Sequence, residues 1–269
     1  MPGETWIDCT CGGGGHSRLI AEAIGPTGRL IALDQDETML ALAAPKLAGF
    51  AVSIKRANFD QLPAVLVELG IERVNGVLAD LGFCSDQLDD PNRGLSFRSD
   101  GPLDMRLNRS VGETAADLVN RLSEEALANV IYEFGEERLS RRIAKRIVER
   151  RGKKPFETTA ELADAVRSCV PRKGGIDPAT RTFQALRIAV NDELGSLDRL
   201  LSALPDVLVS GGRAGIISFH SLEDRRVKYS FRNAEVWTPL TKKPVEASEE
   251  ETATNSRARS AKLRVAMRK

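Results

Sequence analysis

The sequence predicts an α/β fold: a largely parallel sheet covered by helices, with a small helical domain inserted into it. Three observations carry the prediction. Short apolar stretches alternate with helical patterns from residue 5 to residue 80, which implies βαβ units and a parallel sheet covered on both faces. The next stretch of comparable strand quality begins only at Gly215, although a complete βαβ unit needs roughly 30 residues or a little more. Most of the interval between them reads as helices. A chain of 269 residues that is 42% hydrophobic and 29% charged can bury the core this architecture needs, which excludes disordered and fibrous classes.

Each element has a local reason. Residues 5–8 are a β-prone run broken by Gly12, Gly13, Gly14 and Gly15, and residues 17–24 form a helix closed by Gly25. Residues 29–34 are a second strand, followed by Asp36 as N-cap and a helix to Ala44, where Pro45 stops it. Residues 51–54 are a third strand. Asp60 then caps a helix that carries Pro63 in its first turn and ends before Gly70, and residues 77–80 are a fourth strand. In the interval, Ser123 followed by Glu124 and Glu125 starts a helix and Thr158-x-x-Glu161 is a capping box. Pro171 ends that helix, and Asp177-Pro178 supplies an N-cap with proline at the first helical position. The expected insert spans 111–188, leaving 1–110 and 189–269 to the α/β domain, with a helix over 190–204 leading back into the sheet. Residues 215–219 are a fifth strand, 239–255 a polar loop and 263–267 a last strand.

Composition narrows the function classes. No stretch approaches the eighteen or so apolar residues of a membrane span, and the start Met1-Pro2-Gly3-Glu4 lacks a basic-then-apolar leader, so a cytoplasmic protein without membrane contact is expected. Four cysteines without a CxxC pair and only two histidines argue against a disulfide framework and a structural zinc site, and no metal is expected. Residues 1–100 hold 8 Lys/Arg against 14 Asp/Glu, while residues 101–269 hold 31 against 24. The neutral average therefore hides an acidic half and a basic half, a pattern that points to a polyanionic partner for the latter.

In an open parallel sheet, ligands sit beyond the carboxyl ends of the strands. Those ends carry chemistry here. Asp8 closes the first strand and the four-glycine run follows it, letting backbone pass close to a ligand at a helix N-terminus. Asp34 closes the second strand, where a carboxylate can accept hydrogen bonds from both ribose hydroxyls. Phe59 follows the third and can lie against an adenine face. Asp80 closes the fourth. The glycines fit G-x-G-x-x-G/A poorly, since Ser17 or Arg18 falls at the last position, and Asp8 would attract a cationic amino-acid end and repel a pyrophosphate. The set therefore suits S-adenosyl-L-methionine better than NAD, although an NAD-dependent oxidoreductase remains the alternative that shares the glycine loop and Asp34. The plainer alternative is a tight glycine turn and a solvated loop acid.

Asp80-Leu81-Gly82-Phe83 resembles the acid-x-x-aromatic arrangement that amino-methyltransferases set beside the transferred methyl. A nucleobase amine has its lone pair delocalised into the ring, so attack on a sulfonium methyl needs an acceptor for the N–H and a wall that holds the base. His220 sits at the end of the fifth strand and can orient substrate or accept a proton, the plainer alternative being a hydrogen-bonded structural histidine. The lack of any G-x-S-x-G elbow argues against a hydrolase. From Arg138 to Lys154 there are nine Lys/Arg and one acid, Glu149, with Leu139, Ile143 and Ile147 every four residues, which describes a helix with one apolar stripe and a basic remainder. Arg257, Arg259, Lys262, Arg264, Arg268 and Lys269 add a basic tail. Both segments suit nucleic-acid phosphate.

Several long segments carry a family resemblance: Thr10-Cys11-Gly12-Gly13-Gly14-Gly15-His16-Ser17, Asp80-Leu81-Gly82 with Gln87-Leu88-Asp89-Asp90, Arg93-Gly94-Leu95-Ser96-Phe97, Asp100-Gly101-Pro102-Leu103-Asp104-Met105-Arg106, Pro178-Ala179-Thr180-Arg181-Thr182-Phe183-Gln184-Ala185-Leu186-Arg187 and Ile217-Ser218-Phe219-His220-Ser221-Leu222-Glu223-Asp224-Arg225. Together, and on through Arg257-Ala258-Arg259-Ser260, the chain resembles the RsmH/MraW family. That resemblance implies a Rossmann-like class I methyltransferase sheet with an inserted small helical domain. It implies an enzyme that uses S-adenosyl-L-methionine to methylate the exocyclic N4 of one cytidine in the decoding region (P site) of 16S rRNA in the small ribosomal subunit. A homodimer is compatible with it. Carried over position by position, the cofactor contacts fall on Gly14, Gly15, His16, Asp34, Phe59, Asp80 and Gln87; the residue chemistry above makes Asp80 and His220 the catalytic candidates, and His220, Arg181 and Arg187 are candidates to read the base. Family members carry a further segment before the first strand, which motivates a third alternative, an RNA-binding homologue impaired in catalysis. The loop Phe83-Cys84-Ser85-Asp86-Gln87 also departs from the family's usual Val-Ser-Ser-Pro-Gln.

Overall fold

A computed structural model describes residues 2–171, 175 and 177–269. In chain order, β1 (Thr5–Asp8), α1 (Gly15–Ile24), β2 (Arg29–Asp34), α2 (Glu37–Leu47), β3 (Val52–Arg56), α3 (Leu62–Glu68) and β4 (Val74–Asp80) alternate. They are followed by α4 (Ser85–Asp89), α5 (Ala115–Arg121), α6 (Glu124–Gly135), α7 (Ser140–Arg151), α8 (Thr159–Arg167) and α9 (Thr180–Asn191). The chain then runs through α10 (Glu193–Val207), β5 (Leu208–Ser218), α11 (Ser221–Ser230), β6 (Trp237–Pro239), β7 (Val245–Glu246), α12 (Glu249–Thr254) and β8 (Lys262–Arg268). Two compact units result: Met1–Gly82 with Leu194–Lys269, and Phe83–Glu193.

The first unit is one mixed sheet in the order β3-β2-β1-β4-β5-β8-β6, with β7 on β8. The first five strands of that order are parallel, and β8 runs antiparallel to β5 and β6. The strand order reverses between β1 and β4, which pair Asp8 with Leu78, so the crevice of a doubly wound sheet opens where Asp8 and Asp80 end their strands. Ile7, Leu33, Val77, Ala79, Ala214 and Ile216 fill one side of the sheet against Leu197, Leu200 and Leu204 of α10. Ala32 meets Leu40, Ala43 and Leu47 of α2 in a separate cluster.

The second unit has its own core around Leu127, Ile131, Ile143, Ile147, Leu162, Phe183 and Leu186. It is wider than the 111–188 stretch read from periodicity, because Leu95, Leu103, Met105 and Leu107 also pack into this core. An irregular segment brings them there, pinned by Met105 N–H donating to Arg93 O at 2.9 Å and by Asn191, which bonds the backbone at both Met105 and Leu107 at 2.8 Å. Such a segment has no repeat for a sequence pattern to show.

Local expectations are corrected at four places. Pro45 does not stop α2, which runs to Leu47; so close to the helix end, proline removes one hydrogen bond without breaking further turns. Asp60 is not the cap of α3 but lies in a preceding 3₁₀ turn, where it accepts from Arg199 Nε at 2.9 Å. Asp177 stands two residues before the cap position of α9, holding Ala179 N–H at 2.9 Å. The stretch 239–255 is not all loop. Ser248 caps α12, and its three first-turn glutamates suit a helix N-terminus. The short pairings of β6 and β7 on β8 complete that edge. No helix among the described residues is long and apolar enough to cross a membrane.

Candidate functional site

The site is assembled at the carboxyl ends of β1, β2 and β4. The turn after β1 is closed by Cys11 N–H to Leu33 O at 2.7 Å and Gly14 N–H to Cys11 O at 2.8 Å. Gly14 has φ 85° at the start of α1, and a Cβ there would lie 3.1 Å from the Cβ of Ala43. The left-handed backbone favours glycine, and any side chain would also have to push Ala43 aside by a few tenths of an ångström. At Gly15 a Cβ would meet nothing within 4 Å, so the chain leaves open space above the first turn of α1, whose N-terminus carries no side-chain cap and no acid. Lys46 Nζ donates to Gly13 O at 2.7 Å and steadies the loop from α2.

The three strand-end acids play different parts. Asp8 is fully buried, with Oδ1 accepting Thr10 N–H at 3.1 Å and Oδ2 accepting the Ser17 hydroxyl at 2.6 Å. Burial pushes its pKa up. The expectation that Asp8 faces a cationic ligand is therefore corrected: it ties the glycine turn to α1. Asp34 accepts Gly12 N–H at 2.8 Å on one oxygen and Asp36 N–H at 2.9 Å on the other, and burial raises its pKa to about 6. Asp80 is held through its own N–H, which donates to Thr10 Oγ1 at 2.6 Å. Its Oδ2 lies 3.4 Å from His16 Nε2, with the two side chains 31% and 45% exposed. That carboxylate raises the His16 pKa against the opposing effect of burial. Asp80 Oδ1 is a buried atom with no hydrogen-bond partner among the described residues.

Phe59 is half-buried after β3 and packs against the sheet core. His220 lies between β5 and α11, where Glu223 Oε2 accepts the N–H groups of Phe219 and His220 at 2.9 and 3.4 Å. The imidazole is nearly buried, with Nε2 3.3 Å from Glu223 Oε1, yet neither ring nitrogen makes a hydrogen bond of good geometry among the described residues. The first unit thus brings Gly14, Gly15, His16, Asp34 and Asp80 onto one run of strand ends. Thr10 and Ser17, which orient Asp80 and Asp8, were not singled out by sequence reasoning; the signal was a hydroxyl on either side of the glycine run.

In the second unit Gln87 is buried and its Oε1 accepts Cys84 N–H at 3.0 Å. Phe83 packs against the helical core, with the Arg187 guanidinium 4.8 Å from its ring centroid. Arg187 also forms a bidentate pair with Glu193 at 2.8 and 2.9 Å, and Arg181 donates to Glu136 O at 3.2 Å. Both arginines thus hold partners inside their own unit. The basic helix is α7, with Ile143, Ala144 and Ile147 fully buried. The tail is less available than its composition implies: Arg264 pairs with Asp224 at 2.7 and 3.1 Å, and Arg268 donates to Leu208 O, because β8 lies inside the sheet.

The donor and acceptor set fits S-adenosyl-L-methionine: open backbone at Gly15, carboxylates ending β2 and β4, and an unsatisfied oxygen on Asp80. A parallel sheet reversing between β1 and β4, closed by an antiparallel strand and carrying these groups, defines a Rossmann-like class I methyltransferase. A structure described as an rRNA methylase from Clostridium thermocellum shares the fold at TM-score 0.50 and 11% identity, covering 100% of this chain and 90% of that one. The model of the MraW methylase family matches residues 1–269. Proteins named ribosomal RNA small subunit methyltransferase H from Sorangium cellulosum and Prochlorococcus marinus (strain MIT 9303) are 52% and 56% identical, over 98% and 100% of this chain and 84% and 86% of their own. The chain belongs to the MraW methylase family and is an S-adenosylmethionine-dependent methyltransferase. The NAD-dependent oxidoreductase alternative falls with that result.

Proposed function

We propose that the protein methylates the exocyclic N4 of a cytidine in the decoding region, at the P site, of 16S rRNA within the small ribosomal subunit, in the cytoplasm. The names of its relatives support the rRNA of the small subunit as substrate. The observation that carries the chemistry is Asp80 Oδ1, a buried acceptor without a partner among the described residues, at the switch point of the sheet. Gly14, Gly15, His16, Asp34, Phe59, Asp80 and Gln87 are the residues proposed to hold the cofactor, which supplies an electrophilic methyl on a sulfonium when bound.

Asp80 does the remaining work. His16 occupies Oδ2, leaving Oδ1 to accept an N4–H of the cytosine and draw electron density onto the nitrogen. On methyl transfer from the bound cofactor, Asp80 Oδ1 would take up the proton released from N4, so that no charged amine would be left on the base. His220 is proposed to hold the base, since its nearly buried ring has nitrogens without good partners. A base inside folded RNA has to be splayed out to reach such a pocket.

Methyl incorporation from labelled cofactor into small subunits lacking the modification, mapped to the nucleotide, tests the reading. Transfer to N4 of one decoding-region cytidine, lost in Asp80→Ala, is the expected result. Methylation at another position, or normal turnover by the variant, overturns it. Binding without transfer by the wild-type protein would favour the impaired RNA-binding alternative.

A further inference from the structure

We infer that the face shared by α6 and α7 around Tyr132 docks a single-stranded stretch of RNA, stacking one unpaired base on Tyr132 and laying its phosphates along Arg138, Arg141 and Arg142. The inference rests on the rRNA reading above and adds a second contact surface, built wholly within the helical unit.

A cavity of about 400 Å³ is lined by Asn129 and Tyr132 from α6 and by Arg138, Arg141 and Arg142 from the turn and start of α7. That volume lies within the roughly 300–1,000 Å³ typical of small-ligand sites. Tyr132 is 59% exposed, so a large ring stands open to solvent with an amide side chain beside it. A second cavity of about 550 Å³ continues along the same helix, bordered by Arg146, Glu149, Arg150 and Lys153.

The charge here is withheld from partners. Arg138, Arg141, Arg142, Lys145 and Lys153 make no ion pair among the described residues. Other arginines of this unit are paired, Arg106 with Asp104 at 2.7 Å, Arg121 with Glu113 at 2.6 Å and Arg167 with Asp177 at 3.0 Å. Residues 83–193 hold 19 Lys/Arg and 19 Asp/Glu, so the strip is a local concentration of base, with Glu149 its one acid, inside a unit that is neutral as a whole. The first turn of α7 contains no acid, and cations there stand at the end of the helix that its dipole disfavours. A polyanion relieves that arrangement. The buried stripe of α7 is Ile143, Ala144 and Ile147, so the helix offers mainly charge to its surroundings, with Leu139 at its cap as the exposed apolar side chain in the cavity lining. A bilayer surface is therefore a poor fit. Cations beside an exposed aromatic are the composition of a single-strand platform, in which stacking is sequence-tolerant.

Anisotropy of labelled oligo(U), titrated with the full-length protein over a range of salt, tests this. Tyr132→Ala is expected to weaken binding about 5- to 150-fold, the worth of one base stacked on an aromatic ring, while Tyr132→Phe stays near wild type. The combined Arg138→Gln, Arg141→Gln, Arg142→Gln variant is expected to lower the slope of log K against log salt by about 2. Circular dichroism and cofactor titration establish that both variants are folded. If the wild-type protein methylates small subunits yet the variants keep its oligo(U) affinity and salt slope, the docking surface is wrong and the rRNA reading stands. If the variants lose small subunits but hold oligo(U) normally, the face serves a protein partner and the inference is overturned. A wild-type protein that neither binds oligo(U) nor methylates subunits brings down both.

Discussion

The strand ends of the sheet unit and the outer face of α7 treat charge in opposite ways. At the strand ends negative charge is buried and answered by the chain itself: Asp8 by Thr10 and Ser17, Asp34 by two backbone N–H groups. One oxygen of Asp80 is left unanswered among the described residues. Around the start of α7 positive charge is exposed, and Arg138, Arg141 and Arg142 make no ion pair among the described residues, unlike the arginines paired elsewhere in the unit. Buried, preorganised acceptors discriminate a small ligand by geometry, because an unmet hydrogen bond there is expensive. Exposed, mobile cations are screened and tolerant, and they suit a repeating polyanion. The contrast separates chemistry from grip within one chain.

The sharpest way to break that comparison is Asp80→Ala. It is expected to lower methyl transfer by about 10²–10⁴-fold with oligo(U) affinity unchanged, as measured by single-turnover incorporation beside anisotropy; equal loss of both would merge the two regions. Ile147→Ala acts on the other side. Removing a fully buried side chain from the helical core is expected to cost about 2–5 kcal/mol in denaturant unfolding, and cofactor affinity measured well below the transition should hold.

Gly14→Ala sharpens the strand-end half. The left-handed backbone costs an alanine about 1–2 kcal/mol, and the Cβ would press on Ala43 at 3.1 Å. A lower melting temperature with weaker cofactor binding by calorimetry is expected.

The smallest effect is one of pH. With a pKa near 6, Asp34 in the free protein is largely protonated below that value, whereas ribose hydroxyls would donate to the ionised form. Cofactor affinity is therefore expected to rise by at most about tenfold per pH unit up to pH ~6 and then level off. The same raised pKa means the folded chain holds a proton that the unfolded chain has lost, so Asp34 lowers stability as pH rises from about 4 to 6. A cofactor Kd flat across that window would show that Asp34 does not meet the ligand as a carboxylate.

Much of this was legible before any coordinates. The alternation of 5–80 gave the parallel strands and the acids that close them, because strand ends and glycine turns are local chemistry. The helix starts at Ser123 and Thr158 were equally readable, since each cap bonds its own third residue. The edges of the helical unit were not. Leu95, Leu103 and Met105 join its core from an irregular segment whose contacts lie far along the chain. The tail misled for the same reason, as six cations in fifteen residues look free until β8 is placed between β5 and β6.

What the sequence by itself determined is the class of sheet, the order of its polar ends and the family. Each of those is written in short-range pattern or in long motifs. Only the tertiary structure decided which charges are spent. It buried Asp8 against Ser17 and, among the described residues, left Asp80 Oδ1 without a partner and Arg138, Arg141 and Arg142 without an ion pair in a unit whose net charge is zero. Composition counts charges, whereas function depends on their burial and their neighbours, and those are set by packing between residues distant in sequence.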